Sequence, residues 1–247
     1  YFLVVDRHTT FLLDEDYENT LRLSIFKLLN RLTIRHADMT IVTNNLLADI
    51  VRRLKGRPYI LPDMVPTLVE TEKVELKGGH NILMISSFGI DEPVHDVMMA
   101  MKDFSLDEVC LYVTGNYRKL DERVLKQAPP NVIFTGFLDE QDYINMLFSC
   151  DAIMVLTTAS ACMLCGCYEA VSVRRPLITS DKDVLREYFT DAVFVDNTAP
   201  GISAGIKEIL DNIDQYREKI ESLREKLTSH WEEQYKKLEM KLSEIHP

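Results

Sequence analysis

The chain has 247 residues, 46% hydrophobic and 27% charged, with a formal net charge of -11 at pH 7. That length allows one large domain or two modest ones, with enough apolar content to bury a core. The acidity excludes a general nucleic-acid binder, which needs a basic face, and no run approaches the roughly 18–20 apolar residues of a membrane-spanning helix.

In chain order, Phe2–Val5 reads as a strand, and Tyr17–His36 as a long amphipathic helix with Leu21, Ile25, Leu28, Leu29 and Leu32 on one face. Met39–Thr43 reads as a strand, Asn44–Lys55 as a helix capped by Asn44 or Asn45, and Tyr59–Leu61 as a short strand. The chain begins with Tyr1 rather than Met, YFLVV is already strand-like, and no signal peptide is legible. A start inside a fold, as the remainder of a longer protein, is therefore expected. Arg22, Lys27, Arg31, Arg35, Arg52, Arg53, Lys55 and Arg57 make this segment locally basic. They read as solvated helix faces, or alternatively as a contact for a phosphorylated acceptor or an anionic membrane surface.

The two prolines of PDMVP and the polar stretch Glu70–Gly79 read as a linker. A second series follows, with strands expected at Ile82–Ile85, Val109–Val113, Val132–Phe134, Ala152–Leu156, Leu177–Thr179 and Ala192–Val195. Helices fall between them at Pro93–Phe104, Arg118–Gln127, Glu140–Ser149, Gly166–Val173 and Asp183–Tyr188, the alternation of a doubly wound parallel α/β domain. From Gly201 the chain is helical, ending in a charge-rich amphipathic stretch around Trp231 and Tyr235. The expected layout is a partial α/β unit over residues 1–66, a linker over 67–79, a complete α/β domain over 80–212 and a helical tail over 213–247.

Asp151–Asp181 is the most informative stretch. It reads as strand, small-residue loop (Thr157–Cys162), helix opened by Gly166 and carrying Glu169, then strand. Such a unit puts a helix N-terminus, with its unpaired N–H groups and positive dipole end, at the carboxyl edge of a sheet, where a diphosphate would bind. A carboxylate one turn in could accept hydrogen bonds from a ribose diol. Other residues after strands collect on the same edge: Ser86, Ser87, Phe88 and Gly89; Thr114, Gly115, Asn116, Tyr117 and Lys119; Thr135, Gly136, Phe137 and Leu138; Thr157 and Thr158. Lys119 is a counter-charge for a phosphate or an exposed lysine at a helix start. Phe137 or Leu138 would wall a flat base.

The order of these pieces resembles the donor-binding half of GT-B-fold glycosyltransferases, specifically the retaining enzymes of glycosyltransferase family 4. It is carried by VVDRH (Val4–His8), ADMTIVTNNLLADIV (Ala37–Val51), ILPDMVP (Ile60–Pro66), SSFGIDEP (Ser86–Pro93) and YVTGNYRKL (Tyr112–Leu120). It continues through NVIFTGFL (Asn131–Leu138), CDAIMVLTT (Cys150–Thr158) and YEAVSVRRPLITSD (Tyr168–Asp181). The resemblance implies a complete Rossmann-like nucleotide-sugar domain plus the back part of an acceptor-side one. It implies retaining sugar transfer from a UDP or GDP sugar to an unknown glycan, lipid-linked or small-molecule acceptor, without a metal. Glu169 would hold the ribose hydroxyls, Lys119 the pyrophosphate, and the TGFL turn the base. Ser87, Phe88, Gly115, Thr158, Cys165 and Gly166 would complete the substrate contacts. Catalysis would rest on stabilising the departing diphosphate through Lys119 and the amides near Cys165 and Gly166. His8, after a strand and with Asp6 close by, is the remaining candidate for a cleft residue; a strand-end histidine satisfied by a backbone carbonyl is the other reading.

Two departures stand out. The family's first glutamate, eight positions before the second, is Ala161 here, and the upstream part of the first domain is absent. They leave open a non-catalytic nucleotide-binding or scaffold module, and a sugar-nucleotide epimerase of the same fold. Cys162-x-x-Cys165-x-Cys167 with Cys150 invites zinc or an iron–sulfur cluster, but no second Cys pair or nearby histidine completes it, so buried thiols are expected. No G-x-S-x-G or G-x-G-x-x-G occurs. Asp91-Glu92 before Pro93 reads as a helix cap and dipole complement. Five cysteines without disulfide-like spacing predict a reducing cytoplasm, with peripheral membrane contact as an option.

Overall fold

Runs of consecutively buried residues, such as Val109–Thr114 and Ala152–Val155, can only be satisfied in a sheet covered on both faces. The computed structural model describes residues 2–10 and 21–243 and contains two parallel sheets, the larger of which has these runs. The chain divides into two compact units, one drawn from residues 1–64, 160–163 and 228–247, the other from 65–159 and 164–227.

The first unit has a three-stranded parallel sheet, β1 (Val4–Arg7), β2 (Met39–Val42) and β3 (Pro58–Ile60), paired in that order. Helix α1 (Leu21–His36) links β1 to β2; the expected start at Tyr17 lies outside the described residues. Helix α2 (Asn45–Arg53) is capped by Asn44, whose Oδ1 accepts from the Leu47 amide at 3.0 Å. Leu47, Ala48, Ile50 and Val51 of α2 pack with Val42, Ile34 and Ala161. The apolar stripe expected on α1 is not buried as its periodicity would dictate: Ile25, Leu28, Leu29 and Leu32 are exposed, and only Ile34 enters the core. The physical reason is local. No described element covers that stripe, so periodicity here reports an amphipathic helix without its cover.

The second unit is a six-stranded parallel sheet of β4 (His80–Ile85), β5 (Val109–Thr114), β6 (Val132–Gly136), β7 (Ala152–Val155), β8 (Leu177–Ser180) and β9 (Val193–Val195). Its order is β6-β5-β4-β7-β8-β9, the doubly wound arrangement in which the chain reverses direction beside its first strand. Strand side chains alternate. Ile82, Met84, Leu111, Val113, Met154 and Ile178 meet α3 (Val94–Ala100) through Val97 and Met98. The neighbouring residues Ile85 and Val155 lie instead against Gly166, on the opposite face.

The remaining helices are α4 (Glu122–Gln127), α5 (Glu140–Ser149), α6 (Cys165–Ser172), α7 (Asp183–Tyr188), α8 (Ala199–Asp211) and α9 (Ile213–Ser243). Two expected helices are broken. Pro93–Phe104 becomes α3 plus a 3-10 turn at Met101–Asp103. Arg118–Gln127 becomes a 3-10 turn at Tyr117–Lys119 and then α4, because Asp121 accepts from the Arg123 amide and starts a new helix. In α9, Tyr216, Ile220 and Leu223 are buried in the second unit. Residues from Thr228 belong to the first, where Trp231 Nε1 donates to the Pro62 carbonyl at 3.0 Å and the Tyr59 hydroxyl donates to that of Gln234 at 2.6 Å.

Gly115 allows the closest backbone approach at the site. Gly115 has φ +108°, and a Cβ there would stand 2.0 Å from the Ser86 carbonyl oxygen. Gly166 is a milder case, its Cβ position 2.8 Å from Ile85 Cδ1. Gly115→Ala is expected to lower the unfolding free energy by at least about 2 kcal/mol in a denaturant titration, from backbone strain plus a clash with rigid backbone. Gly166→Ala, which meets only side chains, is expected to cost about 1–2 kcal/mol.

Candidate functional site

In a doubly wound sheet the crevice lies at the carboxyl ends of the strands flanking the reversal, here β4 and β7. After β4, Phe88 takes φ 54°, a left-handed turn that aims the successive amides of Ser87 and Phe88 to one side. A single carboxylate receives them. Glu92 Oε1 accepts from the Ser87 amide at 2.9 Å and the Ser87 hydroxyl at 2.6 Å, while Oε2 accepts from the Phe88 amide at 3.1 Å and from the Ser86 hydroxyl. Asp91 ties the same loop to the end of β7. Its Oδ2 accepts from the Thr157 hydroxyl at 2.7 Å, and its carbonyl accepts from the Thr158 amide at 2.6 Å. Asp91 and Glu92 are therefore not the cap of α3, whose N-cap is Pro93 with no side-chain cap bond. Their carboxylates are committed to the neighbouring loops instead.

Beyond β5 and β6 the chain turns at two glycines in left-handed conformations, Gly115 and Gly136 (φ +77°), joined by a hydrogen bond from the Gly115 amide to the Gly136 carbonyl at 3.0 Å. Lys119 lies in the following 3-10 turn, exposed, with Nζ donating to the Ser87 carbonyl at 2.7 Å. The loops enclose a cavity of about 360 Å³ lined by Ile85, Ser86, Thr114, Gly115, Phe137 and Leu138, with Asp139, Glu140 and Tyr143 from the start of α5. Phe137 is 89% exposed at its rim. Phe88, by contrast, is buried against the core with its ring 6.3 Å from that of Phe134.

Helix α6 starts at Leu164, which has no polar side chain to cap it, so its first turn is left without a capping side chain. Gly166 lets this turn sit directly on β4 and β7. One turn on, half-buried Glu169 accepts the Tyr143 hydroxyl at Oε2, while Oε1 accepts no hydrogen bond among the described residues. Burial pushes the Glu169 carboxyl above the usual range, and the Tyr143 bond partly offsets it. Tyr143 is pushed up by its own burial and by the Glu169 charge. The pair joins the cavity lining to the carboxylate that sequence reading picked out. Ser87, Gly115, Lys119, Phe137, Leu138, Thr158, Cys165, Gly166 and Glu169 thus all stand in loops or first turns at one sheet edge of the second unit.

His8 belongs to the first unit. It is not satisfied by a backbone carbonyl: Nε2 lies 3.0 Å from Asp6 Oδ2 and Nδ1 3.4 Å from Asp63 Oδ1. Burial of the ring works against its charge, but the bonds and charges of Asp6 and Asp63 outweigh burial and raise its pKa. The ring is thus held between two carboxylates, which favour its charged form. Ala161 is 5% exposed inside the apolar cluster of the first unit, and its carbonyl accepts from Asn44 Nδ2 at 3.1 Å. Cys110, Cys150 and Cys167 are buried and Cys165 exposed; burial raises the Cys150 thiol well above its ordinary value, which disfavours the thiolate a metal needs. Among the described residues, no three His, Cys, Asp or Glu side chains are placed to share a metal ion, and no helix is long and apolar enough to cross a membrane.

The sequence profile of the family "Glycosyl transferases group 1" matches residues 70–226, which include the whole cavity lining and Glu169. The chain belongs to this family. The fold of this group 1 glycosyl transferase is also that of solved GT-B glycosyltransferases. Sucrose-phosphate synthase from Thermosynechococcus elongatus superposes with a TM-score of 0.75 at 15% identity, over 98% of this chain and 67% of that one. Anabaena HepE, solved with UDP and glucose, gives 0.74 at 13% identity over 98% and 71%. The pneumococcal O-GlcNAc transferase GtfA, solved with UDP and GlcNAc, gives 0.72 at 14% identity over 100% and 53%. The group 1 glycosyl transferase chain thus spans about half to seven tenths of these solved chains. No curated protein sequence matches it.

Sequence reading missed Tyr143, Asp63 and the engagement of Glu92. Tyr143 lies 26 positions from Glu169 and Asp63 lies 55 from His8, separations that no local pattern reports. Tyr143→Phe removes a bond that favours the charged carboxylate, so Glu169 is expected to titrate higher still; carboxyl NMR against pH checks the direction. Asp63→Asn is expected to lower the His8 pKa toward its ordinary 6.5, read by imidazole NMR. Because the folded-state value is raised, His8 contributes stability that is fully present below pH 6.5 and lost as pH rises through the folded value. Asp63→Asn should weaken that stability on the acid side and leave the alkaline side unchanged.

Proposed function

We propose that this chain carries the donor half of a retaining glycosyltransferase of the family 4 type, using a nucleoside diphosphate sugar. The observation that supports this most is the Glu169–Tyr143 pair. One carboxylate oxygen is held by a tyrosine on the cavity wall, and the other stands unbonded one turn into α6, where it could accept from a ribose diol. A base would lie in the cavity against Leu138 with Phe137 at its rim. Lys119 would offer its remaining ammonium protons to the diphosphate, with the first amides of α6 facing the same charge. Solved neighbours of the same fold carrying UDP with glucose or GlcNAc add support for a uracil donor; GDP is the alternative. Departure of the diphosphate would be assisted by hydrogen bonds and charge alone, with no metal and no side-chain nucleophile. The acceptor, a glycan, lipid-linked or small molecule, would be bound by a part of the whole protein outside the donor half, and the five cysteines without disulfide-like spacing support a cytoplasmic or membrane-peripheral placement.

The burial of Ala161 favours a second reading. At the place of the family's first glutamate the chain has an apolar residue packed in a core, so a nucleotide-binding module without transfer fits as well. Nothing in the site favours an epimerase.

Isothermal titration with UDP and GDP tests the donor site: one is expected to bind at sub-millimolar concentration. Glu169→Ala is expected to weaken it about 10- to 100-fold, the loss of one or two hydrogen bonds to a charged acceptor. Binding of neither at millimolar concentration overturns the proposal. Release of free sugar from UDP-glucose, UDP-GlcNAc or GDP-mannose then separates a transferase from a binding module.

A further inference from the structure

The turn after β4 is an anion-binding nest that is already filled. Two successive amides (Ser87 and Phe88) and two hydroxyls (Ser86 and Ser87) converge on the Glu92 carboxylate, the set of donors that would otherwise surround a phosphate group. The left-handed Phe88 shapes the nest, and Ser86 lines the adjoining cavity as well, so nest and cavity share a wall. No ion pair to Glu92 exists among the described residues, and Lys119 spends one of its donors on the Ser87 carbonyl. The cavity lining itself carries Asp139 and Glu140 and no Lys, Arg or His. Two further observations weigh the same way. Asp91 fastens this loop to Thr157 and Thr158, so it cannot swing aside freely, and Phe88 is anchored in the core.

We infer that Glu92 is an internal stand-in for a phosphate, a specificity-determining residue that makes this site recognise the nucleoside of its ligand and gain little from the diphosphate. The inference rests on the nucleotide reading given above. An entering diphosphate finds the β4 nest occupied by a like charge and retains only Lys119 and the first turn of α6. Removing the charge at position 92 frees the amides and hydroxyls for the ligand.

The test is an affinity ladder by isothermal titration, uridine–UMP–UDP and guanosine–GMP–GDP, on the full chain and on Glu92→Gln. In the unmodified chain the diphosphate of the preferred base is expected to bind less than about tenfold more tightly than its nucleoside. In Glu92→Gln the nucleoside affinity is expected to stay within about twofold while the diphosphate gains at least about tenfold. A diphosphate preference above about tenfold in the unmodified chain overturns the inference, as does a ladder that Glu92→Gln leaves unchanged. If neither nucleoside nor nucleotide of either base binds, the nucleotide reading fails and this inference falls with it. Should Glu92→Gln not fold, Glu92→Ala, which also removes the charge from the nest, carries the same expectation.

Discussion

The carboxyl edge of the six-stranded sheet keeps its shape because two acidic side chains complete hydrogen bonds that the strands leave open. Where β4 ends, the amides of Ser87 and Phe88 lose their ladder partners, and leaving a buried donor such as the Phe88 amide unpaired costs about 1–3 kcal/mol. Glu92 satisfies both, together with two hydroxyls, and Asp91 joins this turn to the end of β7 across the reversal of the sheet. A second network continues beyond it: the Thr157 amide donates to Ser180, whose hydroxyl donates to Asn197, which donates back to the Thr157 carbonyl. Three strand ends are thereby fixed relative to one another without a ligand. Gly115 approaches the Ser86 carbonyl closely because it has no Cβ.

That rigidity places the remaining groups. With the β4 and β5 turns in contact, Lys119 reaches the Ser87 carbonyl, and the wall formed by Phe137, Leu138 and Tyr143 stands across a cavity from Ser86. Tyr143 then orients Glu169 through one oxygen. A half-buried carboxylate with one fixed and one unbonded oxygen is costly to keep charged, as its raised pKa records, and such groups concentrate at binding sites. The same edge carries Asp91, Glu92, Asp139, Glu140 and Glu169, with Arg118 and Lys119 in the neighbouring 3-10 turn. The group 1 glycosyl transferase domain thus has a β4 turn whose amides and hydroxyls are already taken up by Glu92.

The first unit contributes differently. His8 stands between Asp6 and Asp63, whose carboxylates favour its charged form, and Ala161 lies in the apolar cluster of the first unit. On α1, Ile25, Leu28, Leu29 and Leu32 remain exposed among the described residues.

The sequence by itself determined the alternation of strands and helices, the doubly wound class of the second unit and the collection of Ser87, Gly115, Lys119, Phe137, Thr158 and Glu169 at one edge. These follow from periodicity and from turn chemistry, which act over a few residues, and from the rule that ligand-facing loops follow parallel strands. Only the tertiary structure decided what the charged groups do there. Whether Glu92 caps a helix or fills a nest, whether Tyr143 meets Glu169, and whether Asp63 meets His8 depend on how separate loops approach one another. Such contacts are set by the packing of glycines and core side chains, and carry no local signature in the chain.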